Sequence, residues 1–195
     1  MSNLITVKPK LRIKGFKSEN LSLNQLNSED FQYVFDEVLK IRENLKNSSS
    51  SEENEIINTI YDSYIKHKKN EKLQLKDMIL IGHENFEFRK ISNKNKKRYL
   101  IYRYKFNVYP KIKKISNYPP CVQIEPTSIC NYRCIMCYQA DKSFSNKSNG
   151  FMGHMSFETF QKCIDELEGN VEAITFASRG EPTLNKDFYK MLSYS

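Results

Sequence analysis

Three of the chain's five cysteines, Cys130, Cys134 and Cys137, fall within eight residues of one another in the segment EPTSICNYRCIMCYQ. No other feature of the 195 residues restricts folding as tightly. An odd number of cysteines, clustered rather than spread, argues against a secreted disulfide scaffold and for metal. Soft thiolates at Cys-x3-Cys-x2-Cys spacing suit iron–sulfur clusters, zinc or Cu(I). Three thiolates hold three corners of a cubane and leave the fourth iron open to a substrate or cofactor, whereas a ferredoxin uses four cysteines. Structural zinc also needs a fourth ligand. The candidates are Cys121, His154 and Cys163. Cys163 reads as a core thiol in mid-helix, Cys121 opens a strand after two prolines, and His154 lies in a loop between Met152 and Met155.

The residues around the cysteines alternate strand and helix. Residues 121–125 form a short apolar run closed by Pro126, and a long loop over 127–155 carries the cysteines. Ser156 is placed to cap a helix over 157–168, with Phe157, Phe160, Ile164 and Leu167 on one face and Gly169 at its end. Residues 171–177 read as a second strand, followed by a Gly-Glu-Pro turn and a helix starting near Lys186. Strand, helix, strand, helix at this spacing predicts a parallel sheet, in which functional loops leave the carboxyl ends of strands. Loops 127–155 and 178–185 both do so.

Upstream, the sequence predicts a short strand over 11–16 and two helices. The first spans 29–45, capped by Asn27 or Ser28, with Phe31, Val34, Phe35, Val38, Ile41 and Leu45 at helical spacing. The second follows a polar linker, with Ser50 and Glu53 in capping-box spacing and a stripe of Ile56, Ile57, Ile60, Tyr61, Tyr64 and Ile65. Its charged end, 66–72, reads as solvated. Residues 86–91 and 99–109, rich in aromatic and β-branched side chains, read as a β-hairpin around a basic loop over 92–98, with His83 as a turn residue. Pro110 and Pro119–Pro120 then break the chain, which places a boundary near 115 between a basic α+β region (1–115) and an α/β region (116–195).

Charge follows the same division. Residues 1–120 carry 24 Lys/Arg against 14 Asp/Glu, and residues 121–195 carry 7 against 9. Such asymmetry can mark a nucleic-acid-binding segment, but abundant Lys, Asn and Ile throughout make coding bias the simpler reading, and nucleic acid is not favoured. No run reaches the roughly 18 apolar residues of a membrane span, and no secretory signal is evident, so the cytoplasm is the expected compartment.

In this frame, residues 121–195 resemble the front end of the radical S-adenosylmethionine (radical SAM) superfamily, whose hallmark is a three-cysteine loop after the first strand of a partial (β/α)6 barrel. Ser178-Arg179-Gly180-Glu181-Pro182-Thr183-Leu184 resembles that family's glycine–glutamate motif, at the same place after the second strand. Gly150-Phe151-Met152 and Met155-Ser156-Phe157 are similar to the first helix entry of members with a C-terminal SPASM domain. Two positions depart from the pattern: Met136 stands where an aromatic residue is common, and Arg179 replaces the first motif glycine.

The resemblance implies an α/β fold, the first two βα units of the barrel, with further units after Ser195 so that the chain is an N-terminal piece. It implies a [4Fe-4S] cluster on Cys130, Cys134 and Cys137, with S-adenosylmethionine on the open iron. Gly180, Glu181 and Pro182 would receive the cofactor's amino group, Met136 would lie towards the adenine, and Tyr138 would line the same loop beside Tyr132, Arg133 and Gln139. One electron would cleave the cofactor to methionine and a 5′-deoxyadenosyl radical that abstracts hydrogen from substrate, with cluster and cofactor carrying the chemistry. No catalytic side chain of the chain itself is implied. The expected activity is that of an oxidoreductase or transferase, served by a donor such as flavodoxin or ferredoxin and acting on a peptide, sugar or other small molecule. The alternatives are a non-catalytic zinc- or iron–sulfur-binding module, and an RNA-modifying radical SAM enzyme that uses the basic N-terminal region.

Overall fold

The computed structural model describes residues 28–45, 50–176 and 178–195; the strand expected over 11–16 lies outside them. The first two helices form where apolar spacing places them. Helix α1 (Ser28–Glu43) buries Phe31, Val34, Phe35 and Val38. Helix α2 (Ser51–Lys68) buries Ile56, Ile57, Ile60 and Tyr64 against it. It starts at Ser50, whose hydroxyl accepts the Glu53 N–H and so satisfies one donor of the open first turn. The charged end of α2 is not merely solvated: Lys66 pairs with Asp77 at 2.9 Å, and the Lys68 ammonium lies 4.1 Å from the Phe35 ring centre.

The hairpin expected over 86–109 is replaced by two helices, α3 (Gly82–Lys90) and α4 (Asn93–Asn107), followed by the single turn α5 (Tyr109–Ile112). His83, expected in a turn, sits in the first turn of α3. Burial explains the correction. Glu84, Asn85 and Phe88 face inward on α3, and Lys96, Tyr99, Leu100 and Tyr104 on α4, in steps of three and four. Aromatic content favours a strand only as a surface for packing, and here that packing is against helices. The period is disguised because several inward positions are polar. The buried Glu84 carboxylate accepts the Ile81 N–H at 3.0 Å, the Asn107 amide at 2.8 Å and the Arg103 guanidinium. Lys96 donates to Glu37 at 2.7 Å and to the Tyr33 hydroxyl at 2.8 Å. Among the described residues ahead of Cys121 there is therefore no strand, and the expected α+β region is helical there.

Residues 113–120, with Pro119 and Pro120, carry no helix or strand. Beyond them the α/β order follows. Strands β1 (Cys121–Gln123) and β2 (Ala173–Thr175) pair in parallel, Cys121 opposite Ala173 and Gln123 opposite Thr175. Between them come a short helix α6 (Lys142–Ser145) and the longer α7 (Phe157–Leu167); α8 (Phe188–Tyr194) follows β2. Ser156 caps α7 by accepting the Thr159 N–H, and Gly169 leaves the helix at φ 73°, a left-handed conformation cheap only for glycine. Phe157, Phe160, Ile124 and Met191 form a second hydrophobic cluster, with Val122, Cys163, Ile164, Ile174 and Phe176 packed on it. The Tyr194 hydroxyl donates to Asp165 at 2.6 Å and its ring meets Phe157 edge-on, joining α7 to α8. No described helix is long and apolar enough to cross a membrane.

Candidate functional site

Both loops singled out in the sequence leave the carboxyl ends of the paired strands, and they meet there. The base of the cysteine loop is stitched shut first. Ser128 donates its N–H to the Gly153 carbonyl at 3.0 Å, and its hydroxyl accepts the Gly153 N–H at 2.9 Å. The Thr127 hydroxyl donates to the same carbonyl and accepts the Ile129 N–H, both at 3.0 Å, and Thr127 bridges His154 in antiparallel fashion. The buried Gln139 amide donates to the Ser128 carbonyl at 2.8 Å, drawing the chain after the last cysteine back to the chain before the first.

Inside that frame the Cys137 N–H donates to the Cys134 carbonyl at 3.0 Å, so these two cysteines close one turn. Arg133 donates to the carbonyls of Cys130 and Tyr132 at 3.0 and 2.7 Å, so its guanidinium braces loop backbone. All five cysteines are free; Cys134 is exposed, and Cys130 and Cys137 are half-buried. Ile135 and Met136 are 96% and 85% exposed, and Tyr138 packs edge-on against Phe144. Met136 and Tyr138 thus lie on an open face of the loop.

The second loop sits directly on the first. The Glu181 N–H donates to the Ile129 carbonyl at 2.9 Å. A Cβ at Gly180 would overlap the Thr127 carbonyl and crowd that of Ile129. Glycine is needed at this position for the close approach of two backbones. The Glu181 carboxylate accepts the Thr183 hydroxyl at 2.7 Å and the Thr183 N–H at 3.3 Å, which opens a helical turn over Pro182–Leu184.

Two residues of this frame were missed in the sequence. Asn185, 3% exposed, donates to the carbonyls of Pro126 and Met155 at 2.7 and 2.9 Å and accepts the Asp187 N–H at 2.9 Å. Glu125, two residues past β1, receives the Arg179 backbone N–H at 2.9 Å and its guanidinium Nε and Nη2. Burial pushes the Glu125 carboxyl up, but the bonds from Arg179 outweigh it and hold the group below the usual carboxylate range. An Asn two residues before an acidic helix start is the one sequence sign of the former; the latter pair, 54 residues apart, leaves none.

Among the described residues, His, Cys, Asp and Glu side chains do not form a group of three or more close enough to hold a metal ion. The donor chemistry nonetheless fits an iron–sulfur cluster. Three free thiols share one largely exposed loop, and neither other cysteine stands among them: Cys163 packs on the second hydrophobic cluster and Cys121 lies at the opposite end of β1. Of the three candidates for a fourth zinc ligand, His154 alone lies at the base of the loop. No protein-family model, curated protein or solved structure matches the chain.

Proposed function

We propose that residues 121–195 are the opening βα units of a radical SAM barrel, and that Cys130, Cys134 and Cys137 bind a [4Fe-4S] cluster. The observation that carries this reading is the seating of the Gly180–Glu181 turn on the cysteine loop at the carboxyl ends of two parallel strands. The parallel pairing brings the two loops to one end of the sheet, and the Glu181–Ile129 bond and the glycine-only contact at Gly180 seat one motif directly on the other. Such a cluster, when bound, supplies one electron for reductive cleavage of S-adenosylmethionine, the first step towards hydrogen abstraction from a substrate. The chain's own part is to bind and orient. The three thiolates hold metal, the loop base keeps them on a short arc, and the turn at Gly180–Glu181 presents backbone and a carboxylate beside them. The substrate class proposed is a peptide, sugar or other small molecule, with flavodoxin or ferredoxin as donor.

Six of the 24 basic residues in 1–120, Lys66, Lys96, Lys97, Lys105, Lys114 and Arg103, end on carboxylates, which reduces the cationic surface that the RNA-modifying alternative would use. A zinc module is supported only by the position of His154. Anaerobic reconstitution with iron and sulfide decides between the metals. The expected product is brown and holds about four iron and four sulfide per chain, and Cys134→Ala abolishes it. One zinc that withstands dialysis, lost in His154→Ala, overturns the proposal.

A further inference from the structure

Arg179 occupies the position at which the sequence departs from the glycine–glutamate pattern, and it is the residue that grips Glu125, just past β1. Its side chain bonds both oxygens of Glu125 and its backbone N–H bonds one of them, at 2.5–3.0 Å. The next residues continue the contact in step. Gly180 abuts the Thr127 carbonyl, and Glu181 donates to Ile129. Each advance of one residue along the second loop meets an advance of two along the first.

We infer that Arg179 is a positioning residue, clamping Glu125 so that the Gly180–Glu181 turn is fixed in register on the loop that bears the thiols. The inference deepens the proposed function and rests on it for its link to S-adenosylmethionine. Its geometry argues for more than surface decoration. A guanidinium fork matched to both oxygens of one carboxylate constrains direction as well as distance. It joins the two chains just beyond the strands, two residues after the end of β1 and four after the end of β2. Without it the near end of the second loop is held by the Glu181–Ile129 backbone bond and the close contact at Gly180, and its far end by Asn185 on the Pro126 carbonyl. A glycine here would keep the backbone N–H to Glu125 but remove the guanidinium, the one cationic partner the carboxylate has.

Hydrogen exchange on the metal-free chain tests the clamp without reference to any cofactor. In Arg179→Ala the Glu181 amide should exchange roughly fivefold faster or more, as loss of a half-exposed bidentate pair predicts. The Phe160 amide in α7, which donates to Ser156, should not change. Arg179→Lys should restore part of the protection, and the exchanged pair Glu125→Arg with Arg179→Glu more. Glu125→Gln provides the same test should Arg179→Ala fail to fold. Unchanged exchange at Glu181 in both single variants overturns the inference, as does uniform acceleration at Phe160 and Glu181 alike.

Reconstituted protein gives the second readout. Arg179→Ala should keep its iron and sulfide yet need several-fold more S-adenosylmethionine to alter the electron paramagnetic resonance of the reduced cluster; an unaltered requirement overturns the positioning role. If the wild-type chain assembles no cluster, the proposed function fails while the exchange measurement still decides whether the clamp exists.

Discussion

At Asn185 one buried amide joins the two ends of the cysteine loop to the start of α8. Its two donors go to carbonyls 29 residues apart in sequence, at Pro126 and Met155, and its oxygen takes the Asp187 N–H. Removing a buried side chain that satisfies three backbone groups leaves those groups to find water or go unpaired, at about 1–3 kcal/mol. Asn185→Ala should therefore lower the urea-unfolding free energy of the α/β region by that amount. Asn149→Ala, whose exposed amide donates to the Ser143 carbonyl and accepts the Ser148 hydroxyl at 3.5 Å, should stay within about 0.5 kcal/mol. Equal effects from the two would mean that the Asn185 network does not hold the loop. Neither Asn185 nor Glu125 bears chemistry of its own in this reading. Each supports the backbone that presents the cysteines, so both were invisible to a search for reactive side chains.

At the level of elements, what could be read depended on whether burial followed the apolar alphabet. α1, α2 and α7 bury Val, Ile, Phe and Tyr in steps of three and four, and Ser50 and Ser156 cap the helices they precede, so these were legible. The parallel β1–β2 pair followed from the strand–helix–strand order. α3 and α4 were not legible, because Glu84, Asn85 and Lys96 occupy inward positions that a hydropathy pattern scores as outward. Lys96 is the clearest case. It is 3% exposed, yet its ammonium bonds Glu37 and Tyr33. Burial works against its charge, but the bonds to Glu37 and Tyr33 prevail and raise its pKa above the ordinary lysine value. Truncating one partner of a buried pair costs about 3–5 kcal/mol; Lys40, which also pairs with Glu37, brings the expectation for Lys96→Met to about 2–3 kcal/mol. Pairing Lys96→Met with Glu37→Met should recover part of the loss. A double variant no more stable than Lys96→Met alone in urea unfolding would count against the pair as the reason α4 packs as it does.

Across the molecule, the first hydrophobic cluster is tied together by carboxylates as well as by apolar side chains, and that gives the chain a direction of pH dependence. Glu52 joins three segments: it accepts the Tyr109 hydroxyl of α5 at 2.7 Å and pairs with Lys105 of α4 and Lys114 at 3.1 and 3.2 Å. The Tyr109 hydroxyl first, then the two ammonium groups, outweigh burial and hold its carboxyl down at about 2. Glu37, paired with Lys40 and Lys96, lies low for the same kind of reason. Asp77 also lies low, where bonds from Lys66 and the Gln74 N–H overcome its burial. In the unfolded chain a glutamate titrates near about 4.3. A carboxyl whose folded value is depressed stabilises the fold fully above its unfolded value and loses that contribution as pH falls towards the folded one. For Glu52 the window runs from about pH 5 down to about 2. The melting temperature of the wild type should fall through this window, and that of Glu52→Gln should start lower and fall less. The two curves should converge as the pH nears the lower end, because the wild-type carboxyl is by then protonated in both states. Parallel curves from neutral pH downwards would show that Glu52 keeps the same proton affinity folded and unfolded, and that its contacts with Tyr109, Lys105 and Lys114 do not link α2, α4 and α5 electrostatically.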